Sequence, residues 1–166
     1  MDEDNVEYIV RRLTPLECTR LQGFEDYWVD LPHKETMSTE EFNAWQAIRA
    51  KAAEIEGKKY KPCKSVAQMV KWYNKMIDAD SNKYRALGNS LALPQFWWIF
   101  NKMKPYLPKN PTLGSLFDGI GGFPVTFEET FGKGSARWAS EVEPFAIAVT
   151  KYHFGDDEDE EKTHHE

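Results

Sequence analysis

The chain has 166 residues, about the size of one ordinary domain, and 41% of them are hydrophobic, so it can bury a core. Its apolar runs stay below the roughly 18 residues that cross a bilayer, and the acidic opening MDEDNVEY does not resemble a secretory signal. The net charge of −6 comes from the acidic segment 155–166, which we expect to be disordered. We expect a cytoplasmic protein without a membrane segment.

The first predicted elements are a strand and a capped helix. The segment 6–14, VEYIVRRLT, alternates as a strand does. Thr14 and Glu17 are spaced as a capping box with proline between them, which predicts a helix over residues 15–22 that Gly23 ends. Three aromatic residues after this glycine are expected to return to the core: Phe24, Tyr27 and Trp28.

Three further helices are predicted before a proline-rich segment. One begins at Ser38 and ends at Gly57, and the next begins at Ser65. The second of these has a core-facing apolar stripe made of Val66, Met69, Val70, Tyr73 and Ile77. An aromatic helix, QFWWIFNKMKPYL, follows. Prolines then predict a linker over residues 105–112, between a helical part, residues 1–104, and a second part, residues 113–154.

The stretch from Arg49 to Arg85 is basic, with ten Lys or Arg residues against four acids. Two interpretations fit this pattern. The lysines either form a surface that binds nucleic-acid phosphates, or they are the solvated face of a helix. The two cysteines, Cys18 and Cys63, have no metal-ligand spacing, so the sequence predicts no metal site.

Residues 113–154 predict strand, glycine turn, helix, strand and helix, which is the start of a parallel α/β sheet. Gly119, Gly121 and Gly122 lie in the turn, and Glu141 ends the second strand. A carboxylate at that position can accept hydrogen bonds from the hydroxyls of a ribose. Pro124 replaces the third glycine of the dinucleotide fingerprint, which argues against a dehydrogenase. The alternative is that the glycines serve only a tight turn.

Three blocks of this sequence resemble the DNA (cytosine-5) methyltransferases. SLFDGIGGF (115–123) with ASEVEPFA (139–146) resembles motifs I and II of that family. RRLTPLECTRLQGFEDYW (11–28) resembles motif IX, and KYRALGNSLALP (83–94) resembles motif X. The resemblance implies an α/β chain with a helical N-terminal part and a partial Rossmann-like S-adenosylmethionine-dependent methyltransferase fold.

The resemblance also implies a cofactor site for S-adenosylmethionine. The loop around the methionine part would consist of Phe117, Asp118, Gly119, Ile120, Gly121 and Gly122. Glu141 would hold the ribose, Val142 would pack on the adenine, and Asn89 and Ser90 would close the pocket from the other side. The alternative role for Asn89 and Ser90 is to cap a helix after Gly88 instead of closing the pocket. Ser115 and Val142 depart mildly from the family pattern.

The catalytic motifs of that family are missing. Neither Pro-Cys-Gln, which supplies the nucleophile, nor Glu-Asn-Val occurs, and Pro62-Cys63-Lys64 precedes the cofactor motif, so we interpret it as a decoy. The motifs also run in a permuted order, IX and X before I and II. The chain would then be the front part of a permuted enzyme, one subunit of a split enzyme, or a fused remnant. We expect such rearrangements in phage or restriction-modification genes of a bacterial cell.

Two functions follow from the resemblance as expectations. In the first, the chain is the cofactor-binding portion of an enzyme that methylates cytosine in double-stranded DNA, inactive alone and completed by a second chain or a missing segment that carries the cysteine. In the second, it is a non-catalytic remnant that binds DNA or a partner. An unpaired sheet edge also predicts self-association. The residues expected to contact DNA are Arg12, Lys58, Lys59, Lys61 and Lys64.

Overall fold

A computed structural model describes residues 9–155 of the chain. Within that range the chain forms seven α-helices, a short 3₁₀ turn and two strands. The helices are α1 (Pro15–Gln22), α2 (Thr39–Ile55), α3 (Val66–Asp78), α4 (Asp80–Gly88), α5 (Leu93–Met103), α6 (Gly122–Phe131) and α7 (Pro144–Phe154). The 3₁₀ turn is Lys104–Tyr106, and the strands are β1 (Leu113–Leu116) and β2 (Ala136–Ser140). The segment 156–166, for which disorder was predicted, lies outside the described residues.

The predicted starts of α1, α2 and α3 are confirmed, because each depends on a side chain that caps its own first turn. Thr14 accepts from the Glu17 N–H, and the Glu17 carboxylate accepts from the Thr14 N–H, which completes the capping box of α1. Ser38 and Ser65 cap α2 and α3 by accepting from the N–H groups of Glu41 and Gln68. Gly23, with φ of 83°, ends α1 as predicted. The predicted aromatic helix differs, since α5 begins at Leu93 without a capping side chain and ends at Met103.

The predicted opening strand is wrong where the structure describes it. Residues 9–14 are irregular, and Ile9 and Val10 are 80% and 99% exposed. Val6 and Tyr8, which completed the alternating pattern, lie outside the described residues. Alternation alone does not make a strand, because the backbone must also pair with a neighbouring strand. Tyr27 is likewise exposed and does not return to the core with Phe24 and Trp28.

The C-terminal part has the predicted order of strand, turn, helix, strand and helix. β1 and β2 pair in parallel, with Leu116 opposite Ser140, and α6 connects them. This sheet is thinly covered, since Leu116 is 62% exposed and Trp138 56% exposed. Parallel sheets are normally buried on both faces, so these two strands present surface that a complete α/β sheet would cover.

A continuous core joins the parts before and after the proline-rich segment. Buried residues of both contribute to it, among them Trp45, Met69 and Leu93 from the helical part and Ile120 and Phe145 from the second part. A second aromatic cluster holds α5 against α6, and its members are Phe96, Phe100, Phe123, Phe127 and Phe131. None of the helices within residues 9–155 combines the length and the apolar character needed to cross a bilayer.

Candidate functional site

The three sequence blocks, which are far apart along the chain, meet around the glycine turn. The Tyr84 hydroxyl donates to the Leu13 carbonyl at 2.7 Å, and the Gln22 amide donates to the Leu87 carbonyl at 2.5 Å. The indole N–H of Trp28 donates to the Ile120 carbonyl, inside the turn, at 2.8 Å. The first and second blocks therefore contact each other, and the first also contacts the third.

The second block reaches the glycine turn through its leucines. A Cβ atom on Gly122 would lie 3.1 Å from Leu91 Cγ, and one on Gly121 would lie 2.5 Å from a ring carbon of Phe154. These two glycines are thus explained by close packing. Gly119 differs, because nothing lies within 4 Å of its Cβ position although its φ is 61°. Its glycine character leaves open space beside the backbone.

The turn has a strained entry at Phe117. This residue has φ of 53°, which is the left-handed region, and it is 84% exposed. A bulky residue in this conformation costs about 1–3 kcal/mol, and such strain is found mainly at sites that bind or react. Val142, which follows Glu141, is 38% exposed. Both apolar side chains therefore remain accessible to a ligand.

Glu141 lies directly after β2 and points at the turn. One carboxylate oxygen accepts from the Gly119 N–H at 2.7 Å, and the other accepts from the N–H groups of Val142 and Glu143 at 2.6 and 3.0 Å. A carboxylate has about four acceptor positions, so one remains for a ligand. To bind two ribose hydroxyls at once, Glu141 has to release one of these backbone donors.

Asp118 is the buried charged group of the turn. Its Oδ1 accepts from the Ser115 hydroxyl at 2.5 Å, and its Oδ2 is buried without a hydrogen-bond partner. Burial raises the pKa of Asp118; the hydrogen bond from Ser115 lowers it, and the charge of Glu141 adds to the rise. Ser115, a departure from the family pattern, thus supports Asp118. The free oxygen is an acceptor that a cationic donor would satisfy.

Asn89 and Ser90 lie between α4 and α5, next to the leucines that contact Gly122. Asn89 is the C-cap residue of α4 and is exposed, and Ser90 is partly exposed. Asn89 thus occupies a cap position after Gly88, as in the alternative interpretation, whereas the N-cap of α5 is Ala92. The two side chains are near the turn in the fold, and whether they close a pocket stays a prediction.

An ion pair connects the second block to the residues beyond Glu141. Arg85 pairs with Glu143, and Glu143 also caps α7 by accepting from the Ala146 N–H at 2.9 Å. α7 therefore begins at Pro144, three residues after Glu141, and Arg85 secures its N-cap residue, Glu143. This contact holds the start of α7 and the end of β2 beside α4.

Several arginines of the first block have structural partners. Arg11 forms a two-point ion pair with Glu17, and Arg20 forms one with Asp26. Arg12 is exposed and, within residues 9–155, its side chain has no hydrogen-bond or ion-pair partner. Arg12 is therefore the arginine of this block that remains available to an external ligand.

The lysines predicted to contact DNA are all exposed. Lys58, Lys59 and Lys61 line one cleft beside α2 and α3, whereas Lys64 lies outside it. Cys63, in the same loop, is 8% exposed, and its sulfur accepts from Arg49 at 2.9 Å. A thiol that is buried and held in this way is part of the packing. That Pro62-Cys63 is a decoy for the nucleophile stays a prediction.

The chain is similar to a bacteriophage protein over part of its length. The match is 32% identical over 101 residues to a protein of Escherichia phage P1 named DNA N-6-adenine-methyltransferase. It covers 60% of the present chain and 11% of the phage protein, so the chain spans about a ninth of that protein's length. No family model matches the chain, and no solved structure does either.

Proposed function

We propose that this chain is the S-adenosylmethionine-binding portion of a DNA methyltransferase with a partial Rossmann-like fold. The observation that carries the proposal is the meeting of the three blocks at one turn, where Glu141 is hydrogen-bonded to Gly119 N–H. In α/β folds, nucleotide cofactors bind at a glycine turn that follows the first strand, and a carboxylate after the second strand accepts hydrogen bonds from the ribose. The likeness to the phage P1 methyltransferase supports the same class.

The residues at the turn suit the parts of this cofactor. Asp118 Oδ2 is buried without a partner, so we expect it to accept from the ammonium of the methionine part when a ligand enters the turn. The open space at Gly119 admits a ligand close to the backbone, and Glu141 keeps one acceptor position for the ribose. Val142 offers exposed apolar surface for the adenine, and Phe117 offers it beside the methionine part. When bound, the cofactor supplies the methyl group.

The target base is proposed to be cytosine, at carbon 5. The support is the resemblance of three blocks to the cytosine-5 family, since motifs IX and X are particular to those enzymes. The phage protein is named for the N6 position of adenine, but the match covers 11% of its length, so the name of the whole protein does not decide the base that this segment serves. Transfer to cytosine needs a thiolate that attacks the ring, which this chain does not supply.

We propose that another polypeptide segment completes the sheet and carries that cysteine. The exposure of Leu116 and Trp138 on a two-stranded parallel sheet supports this, because such a sheet is marginal without further strands and covering helices. The chain alone is then inactive, and its exposed edge favours self-association. Light scattering that gives a clean monomer at high concentration contradicts the self-association.

Calorimetric titration with S-adenosylmethionine tests the cofactor site. We expect saturable binding that Glu141→Ala weakens about 10- to 150-fold, since hydrogen bonds to a charged group contribute about 1.5–3 kcal/mol. Glu35→Ala, which removes an exposed carboxylate elsewhere, is the matched control and should bind as the unmodified chain does. Absence of saturable heat in the unmodified chain contradicts the proposal and favours the non-catalytic remnant.

Adenosine separates the two carboxylates. Glu141→Ala should weaken both S-adenosylmethionine and adenosine, because both contain the ribose. Asp118→Asn should weaken S-adenosylmethionine alone, because adenosine has no ammonium. Equal effects of Asp118→Asn on both ligands would contradict the role given to Asp118.

A further inference from the structure

A basic cleft lies beside the glycine turn (residues 117–122), called the cofactor turn below. Its volume is about 570 Å³, and α2, the loop after it, α3 and the start of α4 form its walls. Six cationic side chains line it against two acidic ones, Glu56 and Glu143. The cations are Arg49, Lys58, Lys59, Lys61, Lys75 and Arg85.

Most of this positive charge is not neutralised within the protein. Lys58 pairs with Glu56 at 2.6 Å, and Arg85 pairs with Glu143. The other four cations have no carboxylate within ion-pair distance in the part of the chain that the structure describes. Like charges that share a concave surface repel one another, so this cleft favours an anionic ligand.

Arg49 is held in place on the wall of the cleft. Its guanidinium lies 4.6 Å from the ring centre of Trp72 and 5.7 Å from that of Tyr60. Two of its N–H groups donate to Cys63 Sγ and to the Lys61 carbonyl. A guanidinium has five donors, so three remain for a ligand, and little side-chain entropy is lost when they bind.

The cleft also adjoins the cofactor turn. Glu143 and Pro144 belong to its lining, and Glu141 lies two residues before Glu143. A long anion bound in the cleft would therefore run towards the turn. A small anion would need few of the six cations, whereas a chain of phosphates would use several of them at once.

We propose that this cleft binds the phosphate backbone of duplex DNA and guides the duplex towards the cofactor turn. The choice of DNA rests on the proposed function, and the phosphate contacts can be measured independently of the cofactor. Five of the six cations come from the segment between the first and second blocks, and Arg85 belongs to the second block. The contacts are sequence-independent, because they reach phosphates and not base edges.

Fluorescence anisotropy with a labelled DNA duplex tests this proposal over a range of salt concentrations. The full chain is compared with Lys58→Gln/Lys59→Gln/Lys61→Gln. The control is Lys71→Gln/Lys102→Gln/Lys109→Gln, which removes the same charge from exposed lysines outside the cleft. Circular dichroism should give equal melting temperatures for all three proteins, because every substituted lysine is exposed.

We expect the cleft variant to bind more weakly and to lower the salt slope by about 0.9 for each lost contact, or about 1.8 for Lys59 and Lys61, with a smaller share from Lys58, which pairs with Glu56. The control should keep the slope of the unmodified chain. Equal slopes for the two triple variants would overturn the proposal. Competition by poly-glutamate as strong as that by DNA of equal charge would also overturn it, because the cleft would then bind any polyanion, including an acidic protein.

The two proposals fail in different ways. Glu141→Ala should leave the salt slope unchanged, and the cleft variant should bind S-adenosylmethionine as the unmodified chain does. An unmodified chain that binds DNA but not S-adenosylmethionine contradicts only the cofactor site. An unmodified chain that binds S-adenosylmethionine but not DNA contradicts only the cleft.

Discussion

Replacing Trp28 with phenylalanine tests whether the first block holds the glycine turn in place. The indole N–H of Trp28 donates to the buried Ile120 carbonyl at 2.8 Å, and phenylalanine cannot donate there. The indole also stacks on His153, with ring centres 3.5 Å apart and planes 2° apart. Both contacts cross from the helical part to the second part, so the substitution loosens the turn from one side.

The expected cost follows from these two contacts. A buried carbonyl left without a partner costs about 1–3 kcal/mol, and the smaller phenyl ring loses part of a stack worth about 0.5–1.5 kcal/mol. Together they predict that the free energy of unfolding falls by about 1–4.5 kcal/mol. For a chain of this length each kcal/mol lowers the melting temperature by about 2–4 °C, so we expect a fall of about 2–18 °C.

Thermal unfolding and calorimetric titration provide the two measurements. The matched control is Trp98→Phe, because Trp98 is 65% exposed and should change stability by less than about 0.5 kcal/mol. Since Ile120 lies between Gly119 and Gly121, Trp28→Phe should also weaken S-adenosylmethionine. A Trp28→Phe protein as stable as Trp98→Phe would refute the reasoning.

Two further predictions concern the same local features. Gly121→Ala should lower the free energy of unfolding by about 1–2 kcal/mol for its left-handed φ of 86°, and by more because the new Cβ displaces Phe154. The control is Gly134→Ala, which has φ of 79° and nothing within 4 Å of its Cβ position, so it should incur only the backbone cost. Equal losses of stability for the two variants in urea unfolding contradict the packing role of Gly121. The hydrogen bond from Arg11 lowers the pKa of Glu17 from 4.5 to about 2. The ionised Glu17 carboxylate therefore contributes its full stabilisation above about pH 4.5, and this stabilisation is lost as the pH falls towards 2. Melting temperatures between pH 2 and 6 should therefore depend less on pH in Glu17→Gln, and an unchanged dependence is evidence against this contribution.

The helix starts could be predicted because their signals are local. Thr14, Ser38 and Ser65 each bond to a backbone N–H three residues ahead, so residue spacing is enough to identify them. α4 was missed, because its N-cap is Ala79, which offers no capping side chain. The opening strand was wrong because alternation at residues 9 and 10 has no neighbouring strand to pair with.

The sequence by itself determined the helix caps, the glycine turn, the carboxylate after the second strand and the resemblance that relates them. Only the tertiary structure decided that Trp28 bonds to Ile120, that Glu141 accepts from Gly119 and that Asp118 keeps one oxygen unpaired. It also decided which lysines share a cleft with Arg49. The physical reason is distance along the chain: caps and turns depend on residues a few positions apart, whereas these contacts depend on how separate elements pack.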